Sequence, residues 1–189
     1  MTHLTRTLEE QKTEFKSRKL LATPIAGAVA WVIVGIAGIF LSPVGKVWVL
    51  FIATGSIVYL GMFISKLTGE NFLDKSRPKN VFDKLFFLTV GQALLVYAIA
   101  IPFFLFDYSS LPLTVGILTG LMWLPVSWII DHWVGMFHAI ARTALVLLLW
   151  YLLPQQRFVA IPFAIVGIYL VTIAILMKRK TGSENALQH

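Results

Sequence analysis

Two side chains that are costly to bury stand four residues apart in an otherwise apolar run: His138 and Arg142, in SWIIDHWVGMFHAIARTALVLLLW, residues 127–150. On a helix that spacing puts both on one face, and the lean of side chains toward the helix N-terminus points the guanidinium back at the imidazole. Arginine offers N–H donors in a planar fork suited to carboxylates and phosphates, and a neutral imidazole offers one donor and one acceptor. The pair can anchor an anion, or it can close a hydrogen-bond network between helices. A metal site needs three or four convergent ligands. With His3 and His189 in the termini, only His132 and Asp131 stand nearby, so no metal and no other cofactor is expected.

The elements that position the pair follow from composition. The chain has 189 residues, 58% hydrophobic and 13% charged, with a mean hydropathy of +0.80. Soluble domains hold roughly 25% charged residues, so this composition describes an integral membrane protein. There is no cysteine, which excludes disulfides and thiolate chemistry. The net charge of +7 does not point to nucleic acid, because the basic residues cluster beside apolar runs, where they act as topology signals.

A bilayer core about 30 Å thick requires about 20 apolar residues in helical form. Six stretches qualify: Leu20–Leu41, Val47–Ser65, Leu85–Phe106, Leu111–Ile130, Trp133–Leu153 and Phe158–Met177. The expected fold is therefore all-α with six transmembrane helices, and residues 20–177 form the transmembrane domain. Lys and Arg crowd one side: Arg6, Lys12, Lys16, Arg18 and Lys19 in the N-terminal arm, Lys66, Lys75, Arg77, Lys79 and Lys84 in the second link, and Lys178, Arg179 and Lys180 in the tail. The other side has Lys46 and Arg157. Both termini are thus expected in the cytoplasm. Residues 1–19 carry Glu9, Glu10 and Glu14 among the bases, which does not fit a cleaved signal peptide. Leu4, Leu8 and Phe15 recur at helical spacing, and Thr7 with Glu10 makes a capping box, so the arm is either a short interfacial helix or a frayed segment. The tail, residues 178–189, has no apolar periodicity and is expected to be disordered. Pro24 before Trp31 and Pro112 before Trp123 give slight support to an inverted repeat of three plus three spans, but their spacings differ.

Counted from a cytoplasmic start near Trp133, His138 lies roughly 8 Å deep and Arg142 roughly 14 Å deep, near mid-membrane. An Arg there costs roughly 2.5–3.5 kcal/mol on insertion scales, so it must face protein or water. Every acidic residue falls in an arm, a link or a span edge, which counts against ion-coupled carriers and intramembrane aspartyl proteases. Trp31, Tyr59, Gln92, Trp123, His138 and Tyr169 fall at similar depth, roughly 7–17 Å, one on each span. Gln92 is the expected acceptor for Arg142. Pro125 should kink the fourth span near Trp123 and free the carbonyl of Leu121, beside Ser127 and Trp128. Gly116 and Gly120 mark a close helix contact. Pro102 and Pro162 shape the outer ends of their spans.

The stretch TVGILTGLMWLPVSWIIDHWVGMFHAIAR, residues 114–142, combines a Gly-containing helix, an aromatic and Pro before a Trp-rich turn, and a further span. In this it resembles a family of small bacterial multi-span membrane proteins of unknown function, over the C-terminal half of the chain. The resemblance implies the bacterial cytoplasmic membrane and carries no site residues with it. From the residues themselves, the expected function is a carrier or receptor binding a small anionic or amphipathic molecule in a cytoplasm-facing cavity. Arg142 would be the anion anchor, His138 and Gln92 orienting partners, and Trp123 and Tyr59 walls. The alternative is an accessory or scaffold protein whose polar layer only fixes packing. A lipid-modifying enzyme is disfavoured by the lack of a nucleophile with its base. The expected partners are the bilayer and that ligand, with a homo-oligomer left open and no nucleic acid.

Overall fold

The computed structural model describes residues 6–72, 74 and 78–179, and every regular element among them is helical. His3, Leu4, Lys75, Arg77 and the tail from Lys180 to His189 lie outside the described residues. A short helix α1 (Leu8–Lys16) precedes α2 (Ala22–Phe40), α3 (Pro43–Gly55), α4 (Ile57–Leu67), α5 (Val81–Leu95), α6 (Tyr97–Phe106), α7 (Leu111–Gly120), α8 (Trp123–Ile130), α9 (Val134–Leu152) and α10 (Arg157–Lys178). Five helical stretches are long and apolar enough to cross a membrane: α2, α5 with α6, α7 with α8, α9 and α10. A sixth is counted if α3 and α4 form one span. Ile33, Ile36, Leu95, Phe106, Leu148 and Leu152 point outward and are exposed, a surface that suits lipid and not water. The chain is thus a multi-pass membrane protein by its helices.

The second span departs from a straight helix, since α3 and α4 meet at 48°. Its break, Thr54-Gly55-Ser56, explains the bend. The Thr54 hydroxyl donates to the Leu50 carbonyl at 2.6 Å and Ser56 donates to Ala53 at 3.0 Å, side-chain bonds that compete with the helical ladder beside a flexible Gly.

The centre of the bundle is α2 packed on α10, with α9, α7 and α4 around them. Small residues on α2 permit the approach. A Cβ on Gly38 would stand 2.1 Å from the Phe158 carbonyl oxygen, and one on Gly27 would stand 2.3 Å from the Tyr169 ring. The N-terminus of α2 has no cap of its own, and Glu70 supplies one: its carboxylate accepts from the Leu21 N–H at 2.6 Å and the Ala22 N–H at 3.3 Å.

The capping box of Thr7 and Glu10 starts α1, which packs across the ends of α5 and α8. Phe15 is buried against Phe86, with ring centroids 6.0 Å apart. Arg18 pairs with Asp83 and Glu14, and Lys16 pairs with Asp131 at 3.0 Å. Asp131, in the left-handed region at φ 51°, ends α8 and turns the chain into α9.

Candidate functional site

His138 and Arg142 sit on α9 and both have 0% of their surface exposed. The guanidinium bends back toward the imidazole as the helical lean requires, with Nη1 3.5 Å from His138 Nε2. Its other partners come from two neighbouring helices. Nε donates to the Gly116 carbonyl at 2.6 Å and Nη2 to the Thr119 hydroxyl at 2.8 Å, both on α7. Nη1 also donates to the Tyr169 hydroxyl on α10 at 3.0 Å. All three guanidinium nitrogens are engaged, and every acceptor is neutral. The charge lies 5.3 Å from the Trp31 ring and 5.4 Å from the Tyr169 ring, within cation–π range.

The hydrogen bonds fix the imidazole tautomer by elimination. The Thr172 hydroxyl spends its proton on the Ile168 carbonyl at 2.8 Å, so it can only accept from His138 Nδ1 at 2.9 Å. Nδ1 therefore carries the hydrogen, and the Nε2 lone pair faces Arg142. Trp123 stacks on the imidazole with centroids 4.6 Å apart, and Tyr169 flanks it at 4.6 Å. The ring is held by two aromatics and two hydrogen-bond partners.

The sequence-derived layer thus comes together in part. His138, Arg142, Trp123, Trp31 and Tyr169 converge. Gln92 does not: it is exposed on α5 and makes no hydrogen bond to Arg142, whose acceptors are supplied by α7 and α10 instead. Tyr59 is 74% exposed, because α4 turns its Gly61 face to α2 and its Tyr59 face outward. The Leu121 carbonyl is not freed by Pro125 either. The helix breaks at Leu121–Met122, and the Leu124 N–H donates to that carbonyl at 3.1 Å, one residue short of the helical register.

Three partners escaped the reading of the sequence: Thr119, Thr172 and the Gly116 carbonyl. Their signal was the spacing of Gly116 with Thr119 and of Tyr169 with Thr172, each three apart and so on one face. Gly116 and Gly120 do mark a close approach, and what approaches at Gly120 is Arg142 itself. A Cβ there would stand 2.9 Å from Arg142 Cδ, so glycine is what lets the arginine stem lie against α7.

Residues 8–179 match the model of a family described as a family of unknown function, DUF7010. The chain belongs to that family. The match spans every helix of the DUF7010 bundle, not the C-terminal half alone. No curated protein and no solved structure matches the chain.

One cavity of the DUF7010 fold touches the arginine cluster. It is narrow, about 60 Å³, and lies between α4 (Val58, Gly61, Met62) and α5 (Val90, Ala93, Leu94). Thr119 and Tyr169 line it from the cluster side, and Thr23, Thr54 and Tyr97 add further hydroxyls. Phe72, Phe86 and Phe87 close it at the α1 end, packed edge to face or tilted with centroids 5.8–6.4 Å apart. There α4 leans on α2 and scarcely meets α5. At about 15 Å³ per water, the space holds a few waters or a short length of hydrocarbon chain.

Outside the spans, charge is handled differently. Burial disfavours ionisation of Glu14, but Arg6, Arg18 and Asn80 outweigh it and hold its carboxyl below the ordinary range. Burial pushes the Glu70 carboxyl above that range, against the Leu21 and Ala22 N–H donors. Burial and then Arg179 hold His132 below its usual value, and its Nδ1 accepts from the Val134 N–H at 3.2 Å.

Proposed function

We propose that this protein is a carrier or receptor for a small amphipathic molecule held in the cleft between α4 and α5, in the bacterial cytoplasmic membrane. The observation that carries the reading is the cleft's position. It lies between α4 and α5 and reaches Thr119 and Tyr169, whose hydroxyls Arg142 holds by direct hydrogen bonds. Arg142 is then a positioning residue behind the wall and not the contact for an anion. His138 contacts it and Trp123 stacks on His138, and neither lines the cleft. The basic residues of α1, of the α4–α5 link and of the end of α10 favour a cytoplasmic α1 end.

The enclosure of Arg142 supports a second reading, an accessory or scaffold protein whose polar cluster only fixes helix packing. The substitution Ala93→Trp separates the two, because it fills the cleft from α5 and removes none of the groups that hydrogen-bond Arg142. Wild-type protein in nanodiscs should carry a small molecule visible by mass spectrometry, and the Trp variant should lose it at unchanged melting temperature. Equal small-molecule content in both proteins would leave the scaffold reading standing.

A further inference from the structure

Two hydroxyls facing the cleft have protons to give. Tyr169 accepts from Arg142 Nη1 at 3.0 Å, and among the described residues its own O–H has no acceptor. Thr23, one turn before the Gly27 that meets the Tyr169 ring, lines the same cleft and makes no side-chain hydrogen bond among the described residues. The other hydroxyls on the wall are committed. Thr119 donates to the Val115 carbonyl at 2.6 Å, Thr54 donates to Leu50, and Tyr97 must then donate to Thr54 across 2.5 Å. The cleft therefore offers donors at one place, next to Thr23 and Tyr169, and hydrocarbon nearly everywhere else.

An O–H whose oxygen already accepts from a guanidinium is polarised and donates more strongly. Its match is a neutral acceptor. An anion could make no direct ion pair and would feel the Arg142 charge only at a distance, since Arg142 is fully buried behind the hydroxyls with its nitrogens engaged. A positively charged group would feel the same charge as repulsion. Depth narrows the class further: Tyr169 lies nine residues from the end of α10 at Lys178, roughly 14 Å along the helix, below the level at which phospholipid ester groups sit.

Resting on the cleft reading above, we infer that the occupant is a membrane-dissolved neutral lipophile whose carbonyl oxygen accepts from Tyr169 and Thr23, and that it enters sideways between α4 and α5. A ketone or quinone on a flexible chain has this chemistry. Its chain would lie along Val90, Ala93 and Leu94, and its carbonyl would end at the hydroxyls.

The test uses the full-length protein in phosphatidylcholine nanodiscs with three probes of similar length: methyl nonyl ketone, decane and decanoate. The ketone should bind wild type about fivefold to tenfold tighter than the alkane, the advantage expected of one net hydrogen bond. Its carbonyl stretch should move to lower frequency than in empty nanodiscs. Tyr169→Phe should weaken both the preference and the shift, and Tyr169→Phe with Thr23→Val should abolish them, while the alkane is still admitted. If these variants do not fold, the wild-type carbonyl frequency decides alone. An unshifted carbonyl in bound ketone, or tighter binding of decanoate than of ketone, overturns this inference and leaves the cleft reading in place. Failure of all three probes to bind, or binding that Ala93→Trp does not block, overturns the cleft reading itself.

Discussion

Arg18 and Arg142 solve the same problem with opposite chemistry. Arg18, at the α1 end, lies among carboxylates: Nη2 is 3.2 Å from Asp83 Oδ2 and 3.3 Å from Glu14 Oε1. Arg142, deep in the bundle, has a backbone carbonyl, two hydroxyls and an imidazole, with no carboxylate partner among the described residues. Desolvating a second ion costs several kcal/mol in a low-dielectric interior, and where water shares the site that cost falls. Neutral dipoles fixed by α7 and α10 stabilise the deep charge without a second desolvated ion. The difference makes the inner cluster sensitive to geometry and the outer one sensitive to pH and salt.

The largest expected effect breaks the inner site. Arg142→Lys keeps the charge but loses the fork, so the ammonium cannot reach Gly116, Thr119 and Tyr169 together. A loss of about 3–5 kcal/mol is expected, the scale of an uncompensated buried charge, read as a large drop in melting temperature in detergent. Next comes Thr172→Val, which leaves the His138 Nδ1–H without its acceptor. The same melts should show a loss of about 1–3 kcal/mol, the range for one unsatisfied buried donor. A change below a few tenths would mean that His138 rotates to another partner and that the tautomer assigned to it is wrong.

The outer site should yield less. Asp83→Asn removes one carboxylate from Arg18, and the partly exposed pair is worth about 1 kcal/mol or less. Its effect should shrink further in molar salt, whereas that of Thr172→Val should not change. Here pH also acts. Glu14 is held below its ordinary value of 4.5, so its contribution is present above that value and lost as pH falls through the lowered one. Glu70 is held above 4.5, so its contribution is full at lower pH and lost as pH rises through the raised value. Glu14→Gln should therefore flatten the acid limb of a stability–pH curve, and Glu70→Gln should flatten the loss on the other limb. Matching slopes in both variants would contradict the assigned directions.

Much of the fold was legible because lipid exposure leaves apolar runs that only helices can satisfy. The ends of α2, α9 and α10 fall within a few residues of the expected spans. The bend at Gly55–Ser56 was written in Thr54-Gly55-Ser56, but hydropathy averages over it. His138 and Arg142 were legible as a pair because polarity in an apolar run is conspicuous. Their partners were not, since threonine and a backbone carbonyl add little to any polarity scale, and which helix faces α9 is a tertiary fact. Gln92 misled for the complementary reason: its polarity was visible, but the packing that turns its face of α5 outward was not.

The central claim is that Arg142 is sealed behind neutral acceptors and that the cleft sees only the hydroxyls it holds. Solid-state NMR of the Arg142 Nε–H, selectively labelled in nanodiscs, tests it most directly. Hydrogen exchange at that site should be strongly protected, and its shift should stay fixed when decanoate or phosphate is added while methyl nonyl ketone perturbs the Tyr169 ring. Rapid exchange, or an Nε–H shift that titrates with either anion, would contradict the account and return Arg142 to the role of anion anchor.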